Sequence, residues 1–300
     1  MSAAAQFFAA KRVLPVLLGA IGLAACLGCR TALLSEEITS DEVGDARPAP
    51  DVVRTDCTDA TATLVYAVTS SDEIVSFDPT AGTFRSIGTL RCPAPDGTTP
   101  FSMAVDRRGT AYVVFDDGNL YRVSTKTGTC TATGYVQRFD GFNRFGMGFS
   151  TDLGGPTETL FVASSGDLTG DALASIDLTD FSLHRIDAFS PPLSRAELTG
   201  TGDGRLYAFY TPSTGGDAHV AQVDKKTARV LGDTTMRGVQ QGRGWAFAFW
   251  GGDFWMFTDP RSEGASTVTR YRPGDGSIQV VAHYPTLIVG AGVSTCAPEG

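Results

Sequence analysis

Phe101-Ser-Met-Ala-Val-Asp106, Thr110-Ala-Tyr-Val-Val-Phe115, Asn119-Leu-Tyr-Arg-Val123 and Cys130-Thr-Ala-Thr133 follow one another along the chain. Each run is rich in β-branched and aromatic residues. The gaps between them, Arg107-Arg108-Gly109, Asp116-Asp117-Gly118 and a turn ending at Thr127-Gly128, carry hairpin chemistry. Together they spell a four-stranded antiparallel meander.

The unit repeats on both sides. Anchored on the central aromatic of the second strand, the series is Tyr66, Tyr112, Phe161, Tyr207 and Trp255, at spacings of 46, 49, 46 and 48 residues. The third strand keeps step as Ile74–Asp78, Leu120–Ser124, Leu173–Asp177, Val220–Asp224 and Val268–Arg272. Five such units at this period predict an all-β fold, a five-bladed β-propeller of four-stranded blades. A two-sheet sandwich or two small β-domains would explain alternating strands, but not a four-strand period held five times.

The first strands carry small residues at equivalent positions: Ala104, Gly148, Thr199, Ala248 and Gly292. Their neighbours Met103, Met147, Leu198 and Phe247 are large, with Ala291 the exception. Innermost strands crowd around the axis, so small side chains permit close approach while large ones fill the space between blades. The aromatic stretch Trp245–Phe257 reads as the same inter-blade core. The unit beginning near Thr61 lacks a first strand, and Ile288–Val293 is a first strand with nothing after it. The C-terminal strand is therefore expected to complete the N-terminal blade and remove an exposed edge.

The repeats resemble secreted propellers of the NHL and YVTN kind. More narrowly, Pro100–Arg107, Phe247–Trp255 and Gly290–Pro298 resemble a family of uncharacterised bacterial β-propeller lipoproteins. That resemblance implies an address and a fold and transfers no activity.

The address reads independently at the N-terminus. Lys11 and Arg12 precede an apolar run, and Leu23-Ala24-Ala25-Cys26 resembles the lipobox of bacterial lipoproteins. The resemblance implies a signal peptide over 1–25, diacylation of Cys26 with palmitate-type chains, and a membrane partner reached through that lipid. Leu27 in place of an aspartate favours the outer membrane. A spanning helix is the alternative, but the run is shorter than the roughly 20 residues a bilayer requires. Residues 26–56, with Glu36, Glu37, Asp41, Glu42, Asp45, Asp51 and Asp56, read as an extended acidic tether, and 57–300 as the propeller. Export predicts oxidised cysteines. Strand closure pairs Cys57 with Cys296, and elimination pairs Cys92 with Cys130. The second pair starts from opposite ends of two outer strands and needs blade twist to meet.

A formal charge of −9 with no basic cluster excludes a non-specific nucleic-acid binder. His184, His219 and His283 lie in separate repeats without ligand spacing, and Asp167–Asp171 lacks the alternating oxygens of a calcium loop, so no metal or cofactor is expected. No nucleophile elbow or phosphate loop occurs. Propeller glycosidases place carboxylates together on the axis. Here Asp106 ends one inner strand and Glu197 begins another, at opposite mouths, so no catalytic residue is assigned.

The turns leading into three successive inner strands carry Arg144, Arg195 and Arg243, with Gln241 nearby. Such guanidinium groups suit an anionic ligand. The plain alternative is solvated charges or pairs with neighbouring acids. The expected function is a non-catalytic binding or scaffold module of the outer envelope, contacting a protein, glycan or small ligand. The rival is an extracytoplasmic enzyme acting on a sugar or other polar substrate.

Overall fold

The computed structural model describes Cys57 and residues 63–136, 141–153, 156–164 and 171–300. The expected signal peptide, Cys26 and the tether lie outside the described residues.

The chain runs through β1 (Val65–Thr69), β2 (Glu73–Asp78), β3 (Thr83–Thr89), β4 (Pro100–Val105), β5 (Thr110–Phe115), β6 (Leu120–Ser124) and β7 (Cys130–Ala132). It continues through β8 (Phe145–Thr151), β9 (Glu158–Ser164), β10 (Ala172–Ile176), β11 (Leu183–Ala188), β12 (Glu197–Gly200) and β13 (Leu206–Tyr210). The remainder is β14 (Ala218–Val223), β15 (Val230–Met236), β16 (Trp245–Trp250), β17 (Asp253–Thr258), β18 (Ser266–Arg272), β19 (Ser277–Tyr284) and β20 (Ile288–Val293). They form five antiparallel sheets in the orders β20-β1-β2-β3, β4-β5-β6-β7, β8-β9-β10-β11, β12-β13-β14-β15 and β16-β17-β18-β19. This is a five-bladed β-propeller, and β20 from the C-terminus is the innermost strand of blade one. The inner strands β4, β8, β12, β16 and β20 pack each against the next, so the ring is closed.

One register holds the blades alike. In every sheet the small inner residue stands directly opposite the anchor aromatic: Gly292 on Tyr66, Ala104 on Tyr112, Gly148 on Phe161, Thr199 on Tyr207 and Ala248 on Trp255. Cross-strand partners share a face of the sheet. The small residue brings that face against the next inner strand, and the ring beside it fills the gap between blades. A Cβ on Gly148 would lie 2.8 Å from the Leu198 backbone, and one on Gly292 would lie 2.8 Å from Val105 N. Thr199 is accommodated because its Oγ1 accepts the Phe249 N–H of the next inner strand at 3.0 Å.

Five hydrophobic clusters result, one at each blade interface. Met103, Met147, Leu198 and Phe247 each fill one, as their size predicts. The fifth interface has Ala291, and there Trp255 is the anchor instead of Tyr or Phe, with Phe77 at 5.6 Å from its ring.

Both body disulfides form, Cys57–Cys296 with Cα atoms 5.7 Å apart and Cys92–Cys130 at 4.5 Å. The second pair meets because the chain beyond β3 forms a parallel bridge, Arg91 to Thr129, beside the start of β7. The same crossing recurs without a disulfide as Ser190 to Arg229.

Candidate functional site

The inner strands run in one direction along the axis, so the propeller has a head mouth where they begin and a tail mouth where they end. Each is spanned by polar side chains.

At the head, Glu197 opens β12 and is fully enclosed. Its Oε2 accepts from Ser102 Oγ on β4 at 2.8 Å, and its carboxylate also accepts the backbone N–H of Met147 on β8. Blades two and four are not neighbours in the ring, so this contact crosses the channel. Burial raises the Glu197 pKa well above the usual carboxylate value. At the tail, Arg107 is 8% exposed and donates from Nη2 to Thr151 Oγ1 at 3.2 Å and Thr295 Oγ1 at 3.3 Å. Glu158 receives the Arg107 backbone N–H at 2.7 Å and the Thr295 hydroxyl at 2.7 Å, and desolvation pushes its pKa up. Asp106 lies beside this cluster, with its pKa also raised by burial. Asp106 and Glu197 therefore stand at opposite mouths.

The loops rising to β8, β12 and β16 carry the arginines singled out in the sequence. Arg144 places its guanidinium 5.5 Å over the Phe101 ring of blade two. Arg243 is exposed and has no ion-pair partner among the described residues. Arg195 is the most constrained of the three. Its guanidinium lies 3.9 Å over the Trp245 ring, and Nη2 donates to Gly242 O at 3.1 Å. Its carbonyl accepts from Trp245 Nε1 at 3.1 Å and from Gln241 Nε2 at 3.3 Å, while its backbone N–H is held by the Asp171 carboxylate. Its φ is +56°, a left-handed conformation that is uncommon for a residue with a Cβ. No carboxylate among the described residues pairs with the guanidinium.

Gln241 and Arg195 are thus in direct contact. Gln241 is 2% exposed, and its Nε2 also donates to Phe209 O at 3.3 Å. Two carbonyls on one atom identify that atom as nitrogen and leave Oε1 as a buried acceptor without a donor among the described residues. The loop cannot drift away from blade five. Gly242, at φ +74°, sits so close to Asp259 that a Cβ would lie 1.8 Å from its carbonyl oxygen.

Two parts of this mouth escaped the sequence reading. Trp245 packs at the edge of the core as expected, but one face serves Arg195 and its Nε1 is spent on that residue's backbone. Asp171, whose pKa burial raises to about 6, belongs to the mouth through a backbone contact that no spacing could reveal. Of the Asp167–Asp171 segment, only Asp171 is described. The histidines bond locally, His184 to Ser182 at 2.9 Å and His219 to Asp233 at 3.0 Å, and no cluster able to hold a metal occurs among the described residues. No helix among those residues is long and apolar enough to cross a membrane.

No protein-family model matches this sequence, and no curated protein matches it. Solved structures do. A crystal structure of a mitotic checkpoint complex matches at TM-score 0.43 and 12% identity over 91% of this chain and 93% of that one. A Dos1 propeller matches at 0.39 and 13%, covering 69% and 52%, and a Bacteroides caccae protein of unknown function at 0.41 and 11%, covering 76% and 97%. Likenesses at this level carry no functional argument.

Proposed function

We propose that this chain is a non-catalytic binding module of the bacterial outer envelope, lipidated at Cys26, whose propeller captures an anionic group at the head mouth. The observation that carries the binding reading is Arg195. Backbone strain of this kind persists only where the surroundings over-determine it. Here three side chains, Asp171, Gln241 and Trp245, hold the backbone of one arginine and leave its charge without a carboxylate. A guanidinium stacked on an indole is partly stripped of water, and desolvation lowers the Arg195 pKa accordingly. A charge in such a setting attracts an anion more strongly than one in bulk solvent. The planar fork suits a carboxylate or phosphate, with Arg144 and Arg243 on the adjoining loops adding to the field. The anchoring reading rests on the Leu23–Cys26 lipobox and the acidic tether behind it.

Calorimetric titration with succinate and with inorganic phosphate tests the site. The wild-type protein is expected to bind at least one of them, and Arg195→Ala to weaken that binding tenfold or more, with Arg195→Lys intermediate. Failure of both probes to bind, or equal affinity in Arg195→Ala, contradicts the proposal.

A further inference from the structure

Blade four departs from the repeat, and the departure opens a cleft. In blades one, three and five the outer strand carries one extra residue, Ile87, Ile186 or Val281, in a β-bulge. The bulge falls between the strand's C-terminal end and the residue level with the anchor aromatic, and its aliphatic side chain packs against the interface with the following blade. In blade four the bulge falls on the other side of that level, between Gln222 and Val223, and the extra residue Leu231 is 50% exposed. The outer residue level with the anchor is Arg85, Thr131, His184 or Gln279 in the other blades, and Gly232 in blade four. A Cβ on Gly232 would meet nothing within 4 Å.

The space so vacated is a cleft of about 450 Å³ between blades four and five, within the size range of small-molecule sites. Phe249 and Phe254 are buried at its base, and the half-buried rings of Tyr207 and Tyr271 form its walls. The Tyr207 ring lies 4.8 Å from that of Phe254, and the Tyr271 ring 6.2 Å from it. The Gln222 amide and the Thr234 hydroxyl line the cleft and have no hydrogen-bond partner among the described residues.

We infer that this cleft binds a neutral saccharide ring. A pyranose has an apolar face that lies against aromatic rings and hydroxyls at its edge that need donors and acceptors together. The cleft supplies both. Its one cation, Arg205, is committed to Asp203 at 2.7 Å and to the Tyr207 hydroxyl at 3.0 Å, and it is outnumbered by the two carboxylates of the lining, Asp233 and Glu299. Acidic sugars and other anions are therefore disfavoured. This site is independent of the head mouth.

Saturation-transfer NMR with maltose, cellobiose and lactose tests it, with benzyl alcohol as the control for non-specific aromatic binding. The expected result is transfer to at least one disaccharide, lost in Gly232→Phe, which places a ring in open space without straining the backbone, and reduced at least fivefold in Tyr271→Ala. Unchanged melting temperatures and unchanged binding at the head mouth would show that both variants are folded. Absence of transfer to all three sugars, transfer to benzyl alcohol in their place, or full retention in a folded Gly232→Phe protein overturns the inference.

Discussion

Glu197 is a carboxylic acid inside the axial channel, bonded to Ser102 of one blade and Met147 of another. Its raised pKa gives stability a definite sign with pH. Below the ordinary value of 4.5 both folded and unfolded chains hold the proton, and the group contributes no pH dependence. Above 4.5 the unfolded chain ionises while folded Glu197 keeps its proton, so stability falls with rising pH until the raised folded pKa is passed. Glu197→Gln keeps an acceptor for Met147 N–H and a donor for Ser102 and removes the titration. The variant should therefore gain stability relative to wild type as the pH rises from 5 to 8. Thermal melts of both proteins at the two pH values check it, and an identical gap at each would contradict the protonated acid. Glu197 was visible in the sequence as an inner-strand carboxylate, but not its partners. Ser102 lies 95 positions away and in a blade that is not adjacent. The Ala291 exception had a similar fate: its size was legible, whereas its compensation by Trp255 depends on which blade faces which.

Strands and turns were the most legible scale, because the four-strand period, the anchor aromatic and the small inner residue all recur in chain order. Edge protection was not legible. Four of the outer pairings, β2–β3, β10–β11, β14–β15 and β18–β19, carry a bulge, and the fifth edge, β7, is only Cys130–Ala132. Bulges and short strands discourage edge-to-edge association. One inserted residue per outer strand changes a repeat length no more than a longer loop does, so spacing cannot separate the two. The displaced bulge that opens the blade-four cleft was hidden for the same reason. Both disulfides, by contrast, followed from strand count and elimination. Cys57–Cys296 spans 239 residues and Cys92–Cys130 spans 38. Loop entropy gives upper limits of roughly 5 and roughly 4 kcal/mol respectively. Chemical denaturation of Cys57→Ala/Cys296→Ala and Cys92→Ala/Cys130→Ala proteins should show the larger loss in the first. A larger loss in the second would mean that β20 holds its place in blade one without the covalent closure.

The described residues form a closed ring, whose candidate binding surfaces are its mouths, the gaps between its blades and its rim. Polar side chains span the channel, Glu197 towards the head and Arg107 with Glu158 at the tail. The proposed placement is a lipid at Cys26 with the propeller held off the membrane by residues 26–56. Replacing Cys26 by Ser should move the protein from the membrane fraction to the soluble fraction and abolish incorporation of labelled palmitate. Continued labelling would point to Cys29 or against the lipobox. The arginines proposed for the head mouth stand out in the sequence because they precede three successive inner strands. The selection of Arg195 among them was not legible, because it depends on a left-handed backbone, an indole from the next blade and a carboxylate from the preceding one. Anomalous diffraction from a crystal soaked in selenate tests that selection most directly. A selenium peak roughly 4 Å from the Arg195 guanidinium carbon, absent from Arg195→Ala crystals, is the predicted result. An empty head mouth, or the same peak in the variant, would contradict it.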